Sequence, residues 1–394
     1  MIKSNIKILL LKFSGSLFLF LITILISKNI SLEEFGTYEV LVRISLLIST
    51  ISVFGLPALI NRTKSFYEAK KIFVSGIQTV ITIDLIISIF SCLIIYIYQE
   101  NLKFGLLIIF GSFFYPLYRL IGALYLKNKK YTKSILTDDV LFYLILYSLL
   151  LLVIAVSNKI NIFEISLFVL ISRLVVFLYF YPIKKLFFFK IKINIKLLQK
   201  SFLLFLQSFL QKALNNLPVI LCGFLFTQQE AGVYALSVRL SSIYLIVLSS
   251  FNYYITPKIS ENLNNSRFKI MLKKGLLLFL VFSILIFTVN LFLSNIITSI
   301  WPEMKGEFLT IYFVVLLGYL VNLSTGSVGV ILNMTGNEKK HLKVNLFSLI
   351  LIIISFISSL FYNSFLYFTI FISLIMGLEN ILKLLYVRFF FKTI

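Results

Sequence analysis

Cysteine occurs twice in these 394 residues, histidine and tryptophan once each, and proline six times. Cys92 and Cys222 both fall within apolar runs, where they read as buried small hydrophobes; neither a disulfide nor a metal site finds support. His341 sits in a basic stretch, where a solvated surface role is expected rather than catalysis. Acids are scarce as well, 15 Asp and Glu against 37 Lys and Arg. There is no acid pair or His/Cys cluster typical of a hydrolase or metal site. No GxxxxGK[ST] loop is present, so no ATPase is built in. The expectation is a protein that is not an enzyme and needs no cofactor or metal.

Charged residues of both signs make up only 13% of the chain, hydrophobic residues make up 60%, and the mean hydropathy is +1.01. A soluble domain is closer to half apolar and a quarter charged. An interior of this size cannot be covered by so little polar surface, so bilayer is the expected solvent. The net charge of +22 would suggest nucleic acid in a soluble protein. Here the cations lie in short connections between apolar runs, which reads as topology signals and contacts to anionic headgroups of membrane lipids. No nucleic-acid partner is expected.

A spanning helix needs about 20 mostly apolar residues, and twelve segments provide them: 8–27, 36–60, 72–98, 103–126, 134–156, 161–183, 201–226, 231–256, 270–297, 308–333, 343–362 and 364–390. The first lacks a small-residue cleavage site, so it reads as a span and not as a cleavable signal. With the N-terminus in the cytoplasm, the outer connections hold only Lys28, Lys103, Lys159 and Lys305, and the basic clusters all fall inside. That alternation sets both orientation and span number, with both termini cytoplasmic. No outer connection is long enough to fold as a catalytic domain.

One stretch occurs twice, just under half the chain apart. Glu34-Phe35-Gly36-Thr37-Tyr38-Glu39-Val40-Leu41-Val42-Arg43 returns as Glu230-Ala231-Gly232-Val233-Tyr234-Ala235-Leu236-Ser237-Val238-Arg239. Glu, Gly, Tyr, Val and Arg keep their spacing, the mark of an internal duplication. The expected division is a six-helix bundle over 1–183, a basic cytoplasmic linker over 184–200 and a second six-helix bundle over 201–394. An even number of spans per half makes the repeats parallel, related by a pseudo-two-fold axis along the membrane normal. A site near the midplane between them is then expected. Pro57 and Pro257 are expected to end the second and eighth spans, whereas Pro116 and Pro218 lie inside spans. The Gly-rich segment Ser324–Gly329 in the tenth span allows close packing or flexing, of which packing is the commoner.

Five cations remain inside the spans: Arg43, Arg119, Arg173, Lys212 and Arg239. A charge near the bilayer centre costs from about 2.5 to more than 10 kcal/mol, so each is a candidate functional residue. Arg173 and Lys212 come near mid-depth, Arg119 toward the cytoplasm, Arg43 and Arg239 toward the outside. Together they are expected to line an electropositive passage. The planar fork of Arg suits a diphosphate and Lys supplies a point charge. Of the acids read as intramembrane, Asp84 either pairs with Arg43 or Lys212 or binds a coupling ion. Glu379 has Lys383 four residues on, the spacing of a local ion pair. Asp138 and Asp139 read as complements to the dipole at the start of the fifth span, and Glu34 and Glu230 as helix caps.

The paired Glu-Phe-Gly-Thr-Tyr and Glu-Ala-Gly-Val-Tyr segments, Phe54-Gly55-Leu56-Pro57, Tyr253-Tyr254-Ile255-Thr256-Pro257 and Thr335-Gly336-Asn337-Glu338-Lys339 resemble those of bacterial polysaccharide flippases of the Wzx type, which export O-antigen or capsule units. These belong to the multidrug/oligosaccharidyl-lipid/polysaccharide exporter superfamily, alongside lipid II flippases and MATE drug exporters. The resemblance implies an all-α integral membrane protein of the bacterial inner membrane, with two six-helix bundles in a V-shaped, MATE-like fold. It implies movement of an undecaprenyl-diphosphate-linked oligosaccharide to the outer leaflet, coupled to a gradient of H+ or Na+ and in partnership with other polysaccharide-assembly proteins. The basic cavity of such proteins maps by location onto Arg43, Arg119, Arg173, Lys212 and Arg239, with Asp84 and Glu379 as ion-coupling candidates. Two other classes compete. A polysaccharide polymerase or ligase would need a sizeable outer loop, and a cation-coupled drug exporter would place its cationic cargo among five cations.

Overall fold

The computed structural model describes residues 2–63, 65–98, 102–157, 160–180, 193–249, 251–252, 266–302 and 305–393, with side chains described outside 2–9, 90–98, 102–110, 139, 266–273 and 389–393. No strand occurs among the described residues. In chain order the helices are α1 (Ile2–Asn29), α2 (Leu32–Val53), α3 (Leu56–Arg62), α4 (Phe66–Tyr98), α5 (Leu102–Lys127), α6 (Tyr131–Ile135), α7 (Leu141–Ser157) and α8 (Ile162–Phe180). They continue as α9 (Ile195–Leu225), α10 (Gln228–Ser242), α11 (Ser266–Ile300), α12 (Glu307–Thr325), α13 (Val328–Met334), α14 (Glu338–Tyr362) and α15 (Phe365–Thr393). The expected spans overlap these helices, but the eighth, 231–256, coincides with α10 only as far as Ser242, and its residues 253–256, like 181–183 of the sixth, lie outside the described residues. Among the described residues eight helices are long and apolar enough to cross a bilayer, or nine if the bent pair Tyr131–Asp138 and Leu141–Ser157 is one span. Their flanks present large side chains such as Phe292, 84% exposed, and Phe361, 82% exposed, the kind of surface a bilayer covers.

The chain divides into two compact units, Met1–Asn216 and Leu217–Ile394, with the boundary inside α9. Of the linker expected at 184–200, residues 184–192 lie outside the described residues, as does Pro257; residues 195–200 form the first turns of α9.

In the first unit α5 is the central helix, packed on α2, α3, α4 and α8. Gly111 permits the close approach of α8: a Cβ there would already touch the Leu170 backbone at 3.4 Å. In the second unit α12 takes the same central place, against α10, α11 and α15. Gly318 does for α15 what Gly111 does for α8, since a Cβ there would lie 3.2 Å from the backbone of Ser373. The fourth span of each half is thus the hub, and a glycine in it meets the sixth.

The duplicated stretch opens the second span of each half in the same way. Ser31 and Thr227 are N-caps whose hydroxyls accept from the N–H groups of Glu34 and Glu230. Those carboxylates in turn accept from the cap residues' own N–H groups. This reciprocal capping satisfies two of the otherwise orphaned amides at each helix start. Tyr38 and Tyr234, one turn on, are buried in both copies.

Two expected spans are broken. The second, 36–60, stops at Phe54 (φ 46°) and Gly55 (φ 71°), both left-handed, before α3. The apolar run hides this elbow, because only backbone geometry marks it. Pro57 does not end the span but lies in the first turn of α3, where its missing N–H costs nothing. The Phe54 ring stacks on Phe205 of α9, 4.2 Å between centroids and 7° from parallel. A Cβ on Gly55 would fall 2.5 Å from the Phe205 nitrogen. The tenth span, 308–333, breaks likewise at Gly326 (φ 67°), which ends α12 two residues before α13. Between α6 and α7, Leu136–Val140 form a π-helical turn.

His341 is buried and not solvated. The turn Thr335–Asn337 brings α14 back under α13, so the imidazole Nδ1 meets Asn333 Oδ1 at 2.7 Å and the ring sits against Gly329. A second polar knot holds α11 to its neighbours: Asn290 takes the hydroxyls of Tyr312 at 2.5 Å and Tyr244 at 2.9 Å.

Candidate functional site

The first unit brings Arg119 and Arg173 together around a single ring. Arg119 projects from α5 and Arg173 from α8, and their guanidinium carbons stand 5.7 and 5.8 Å from the centroid of Tyr115, also on α5. Phe142 at the start of α7 covers Arg173 from another direction at 5.4 Å. Aromatic faces attract guanidinium groups at these distances, by about 0.5–2 kcal/mol each. Asp138, in the π-helical turn, lies 3.7 Å from Arg119. Gly122 lies directly beneath that carboxyl, and any side chain there would occupy its space. Asp138 therefore does not complement a helix start as expected: the helix begins earlier, at Tyr131, and the π turn swings the carboxyl toward α5.

Among the described side chains, none is an anion paired with Arg173. It is 3% exposed, and its Nε and Nη1 are buried with no hydrogen-bond partner. Rings cannot replace acceptors: an unpaired buried charge costs several kcal/mol. The arrangement is two cations and one carboxylate among the described side chains, with Arg119 at the accessible edge (its side chain 35% exposed) and Arg173 behind it. Two guanidinium groups facing one ring have the chemistry that suits an anion with several oxygens.

The other predicted cations stand elsewhere. Arg43 is buried on α2, its Nε 3.2 Å from Glu39 and its Nη1 3.2 Å from the side-chain oxygen of Asn216 on α9. Asn216 donates in turn to the backbone carbonyl of Lys212, so Arg43 and the Lys212 turn belong to one neighbourhood. Lys212 is half-buried on α9 and makes no ion pair or hydrogen bond through its side chain among the described residues. Arg239 lies half-buried on α10 in the second unit. The count of intramembrane acids was short. Glu39, one turn before Arg43 and 2% exposed, was readable from its spacing, whereas the Asp138 contact with Arg119 depends on a π turn that no residue pattern announces.

The two acids singled out as ion-coupling candidates have separate environments. Glu379 forms an ion pair with Lys383 on the next turn of α15, both largely buried. Asp84 lies on α4 with no exposure, and its Oδ1 is 2.5 Å from Ser52 Oγ on α2. It pairs with neither Arg43 nor Lys212. Among the described residues no group of three His, Cys, Asp or Glu side chains could hold a metal ion.

No curated protein matches the chain in sequence. Solved structures do match in fold. An outward-facing multidrug-resistance MATE transporter of the MOP superfamily aligns at TM-score 0.66 with 10% identity, over 99% of this chain and 96% of its own. An inward-facing one aligns at 0.68 with 11% identity, over 96% and 95%. A MOP-superfamily transporter from Pyrococcus furiosus, described as having a binding pocket of reversed polarity, aligns at 0.66 with 11% identity, over 98% and 95%. The fold is therefore that of the MATE transporters. The sequence model of a family described as polysaccharide biosynthesis protein matches residues 1–263. With duplicated capped helices and spans whose apolar flanks are of the kind a bilayer covers, this chain is a multi-pass membrane protein belonging to the polysaccharide biosynthesis protein family, built on the MATE-like fold of the MOP superfamily of transporters.

Proposed function

We propose that this protein is a flippase that carries an undecaprenyl-diphosphate-linked oligosaccharide repeat unit from the cytoplasmic to the outer leaflet of the bacterial inner membrane, for surface polysaccharide synthesis. The observation that carries this reading is the Arg173 guanidinium, held on Tyr115 and Phe142 with two donors unused. A diphosphate supplies the missing acceptors, and guanidinium forks bind its oxygens in pairs. Arg119 is shared between Asp138 and the ligand, so a phosphate displaces a carboxylate at the accessible edge and reaches Arg173 behind it. Lys212, half-buried on α9, supplies a further cationic contact, whereas Arg43 is already held by Glu39 and Asn216. The sugar occupies the wet cavity and the polyprenyl tail stays in lipid.

Transport proceeds by alternating access, driven by a gradient of H+ or Na+ acting at Asp84 or Glu379. Both termini are cytoplasmic, and other polysaccharide-assembly proteins receive the unit outside.

A strain lacking the chromosomal copy tests this. With Arg173→Ala present in the membrane, surface glycan should be lost and lipid-linked repeat units should build up inside, with partial recovery in Arg173→Lys. Wild-type glycan in Arg173→Ala overturns the site. The fold of the solved neighbours supports a second reading, a multidrug exporter. The surplus positive charge at Tyr115 disfavours a cationic drug. Unchanged glycan in the deletion strain together with dye retention would favour that second reading.

A further inference from the structure

Asp84 sits among α2, α4 and α5, where hydroxyls replace countercharges. Ser45, Ser49 and Ser52 line one face of α2, all with no exposure, and Ser88 follows Asp84 one turn along α4. Among the described side chains of the packed helices, the charged groups named here have other partners or are exposed at helix ends. Glu39 and Arg43 of α2 bind each other, Arg119 of α5 faces Asp138, Arg62 is exposed at the end of α3, and Lys70 and Lys71 are exposed at the start of α4. The partner of Asp84 is Ser52.

Counting protons decides its state. The Ser52 hydroxyl carries one hydrogen but lies within bonding distance of two acceptors, Asp84 Oδ1 at 2.5 Å and the Ile48 carbonyl at 3.1 Å. If Asp84 were ionised, Ser52 could serve only one of them. A full negative charge would then be buried with a single donor, its Oδ2 having no partner at all. If Asp84 holds a proton, it donates to Ser52 Oγ and Ser52 donates to Ile48, and both contacts are made. The remaining Oδ2 is then a neutral carbonyl oxygen, a far smaller cost. A metal cation is poorly served, because the Oδ1–Ser52 distance leaves no room between them and the free oxygens, Oδ2 and Ser88 Oγ, are too few for a shell.

We propose that Asp84 is a proton-binding site, occupied in this conformation, whose proton is held through Ser52 at the end of α2. Ser52 stands two residues before the left-handed elbow at Phe54 and Gly55, which is clamped on Phe205 of α9. Movement of the elbow draws Ser52 from Asp84 and exposes the carboxyl to water. The proposal rests on the assignment of Asp84 as a coupling group above and names its ligand as H+.

The test is infrared spectroscopy of the purified full chain in phospholipid vesicles at pH 7, with no substrate present. The wild type should show a protonated-carboxyl C=O band that shifts in D2O, is lost in Asp84→Asn, and moves to higher frequency in Ser52→Ala. Asp84→Glu should move the band rather than abolish it, which serves if Asp84→Asn accumulates poorly. Phe205→Ala, by loosening the elbow, should speed the D2O shift. An identical spectrum in wild type and Asp84→Asn overturns the proposal. So does loss of the band on adding NaCl, which would make the site a sodium site. An unchanged D2O shift in Phe205→Ala removes the elbow's part. A band that behaves as stated in a protein that moves no glycan would count against the flippase reading and leave the proton site standing.

Discussion

At the scale of single residues the described charges include some paired within one helix and one that lacks such a pair. Arg43 with Glu39 and Lys383 with Glu379 are i, i+4 pairs that neutralise themselves within one helix. Replacing Glu379 alone by Gln should leave the 4%-exposed Lys383 side chain uncompensated and cost about 3–5 kcal/mol. The double change Glu379→Leu with Lys383→Met should recover most of that loss, as read by thermal unfolding in detergent. If single and double variants melt alike, the pair is not what holds this end of α15. Arg173 has the opposite character. Its two buried donors lack acceptors, so Arg173→Met, which keeps the volume, should stabilise the fold by about 1–4 kcal/mol while surface glycan is lost. A variant that melts lower would assign Arg173 to packing.

At the scale of elements, the elbows do what straight helices cannot. Gly55 and Gly336 both have positive φ, 71° and 75°, but a Cβ on Gly55 meets the α9 backbone whereas one on Gly336 meets nothing within 4 Å. Gly336→Ala should therefore cost only the left-handed strain, about 1–2 kcal/mol. Gly55→Ala should cost more than that and lower the amount of folded protein, measured by size-exclusion recovery and melting. Equal losses would show that the contact with Phe205 is unimportant. Helices were readable because apolar runs and capping residues are local signals. Glu34 and Glu230 showed their role in sequence, since a cap needs only its own next turn. The break after Val53 was not readable: Phe54 gives no sign that its φ will be 46°, and Pro57 marks a helix boundary without saying which side of it the helix lies. His341 was misplaced for a related reason, as its basic neighbours describe the chain and not the fold of α14 onto α13.

At the scale of the whole molecule, lipid is inferred from how much apolar surface the helices leave uncovered, and orientation from where the cations lie. Cysteines placed singly at Lys28 and Lys305 should react with an impermeant maleimide in intact cells, and cysteines at Lys71 and Lys129 only after permeabilisation. The opposite pattern would invert the topology, and a mixture would break the span count. Duplication was legible here because five residue types recur at fixed spacing, and both α5 and α12 serve as hubs. The charge cluster was legible only as a list of cations; which of them share Tyr115 is a matter of helix rotation. The π turn at Leu136–Val140 belongs to that rotation. It accommodates one surplus residue in the fifth span, and α14, its counterpart in the second half, runs straight through without one. Since each residue turns a helix by about 100°, deleting one residue from this turn would re-phase α6 against α7 and swing Asp138 away from Arg119. The two repeats therefore differ in phase at this point, and the half with the extra residue is the one that holds Arg119 and Arg173.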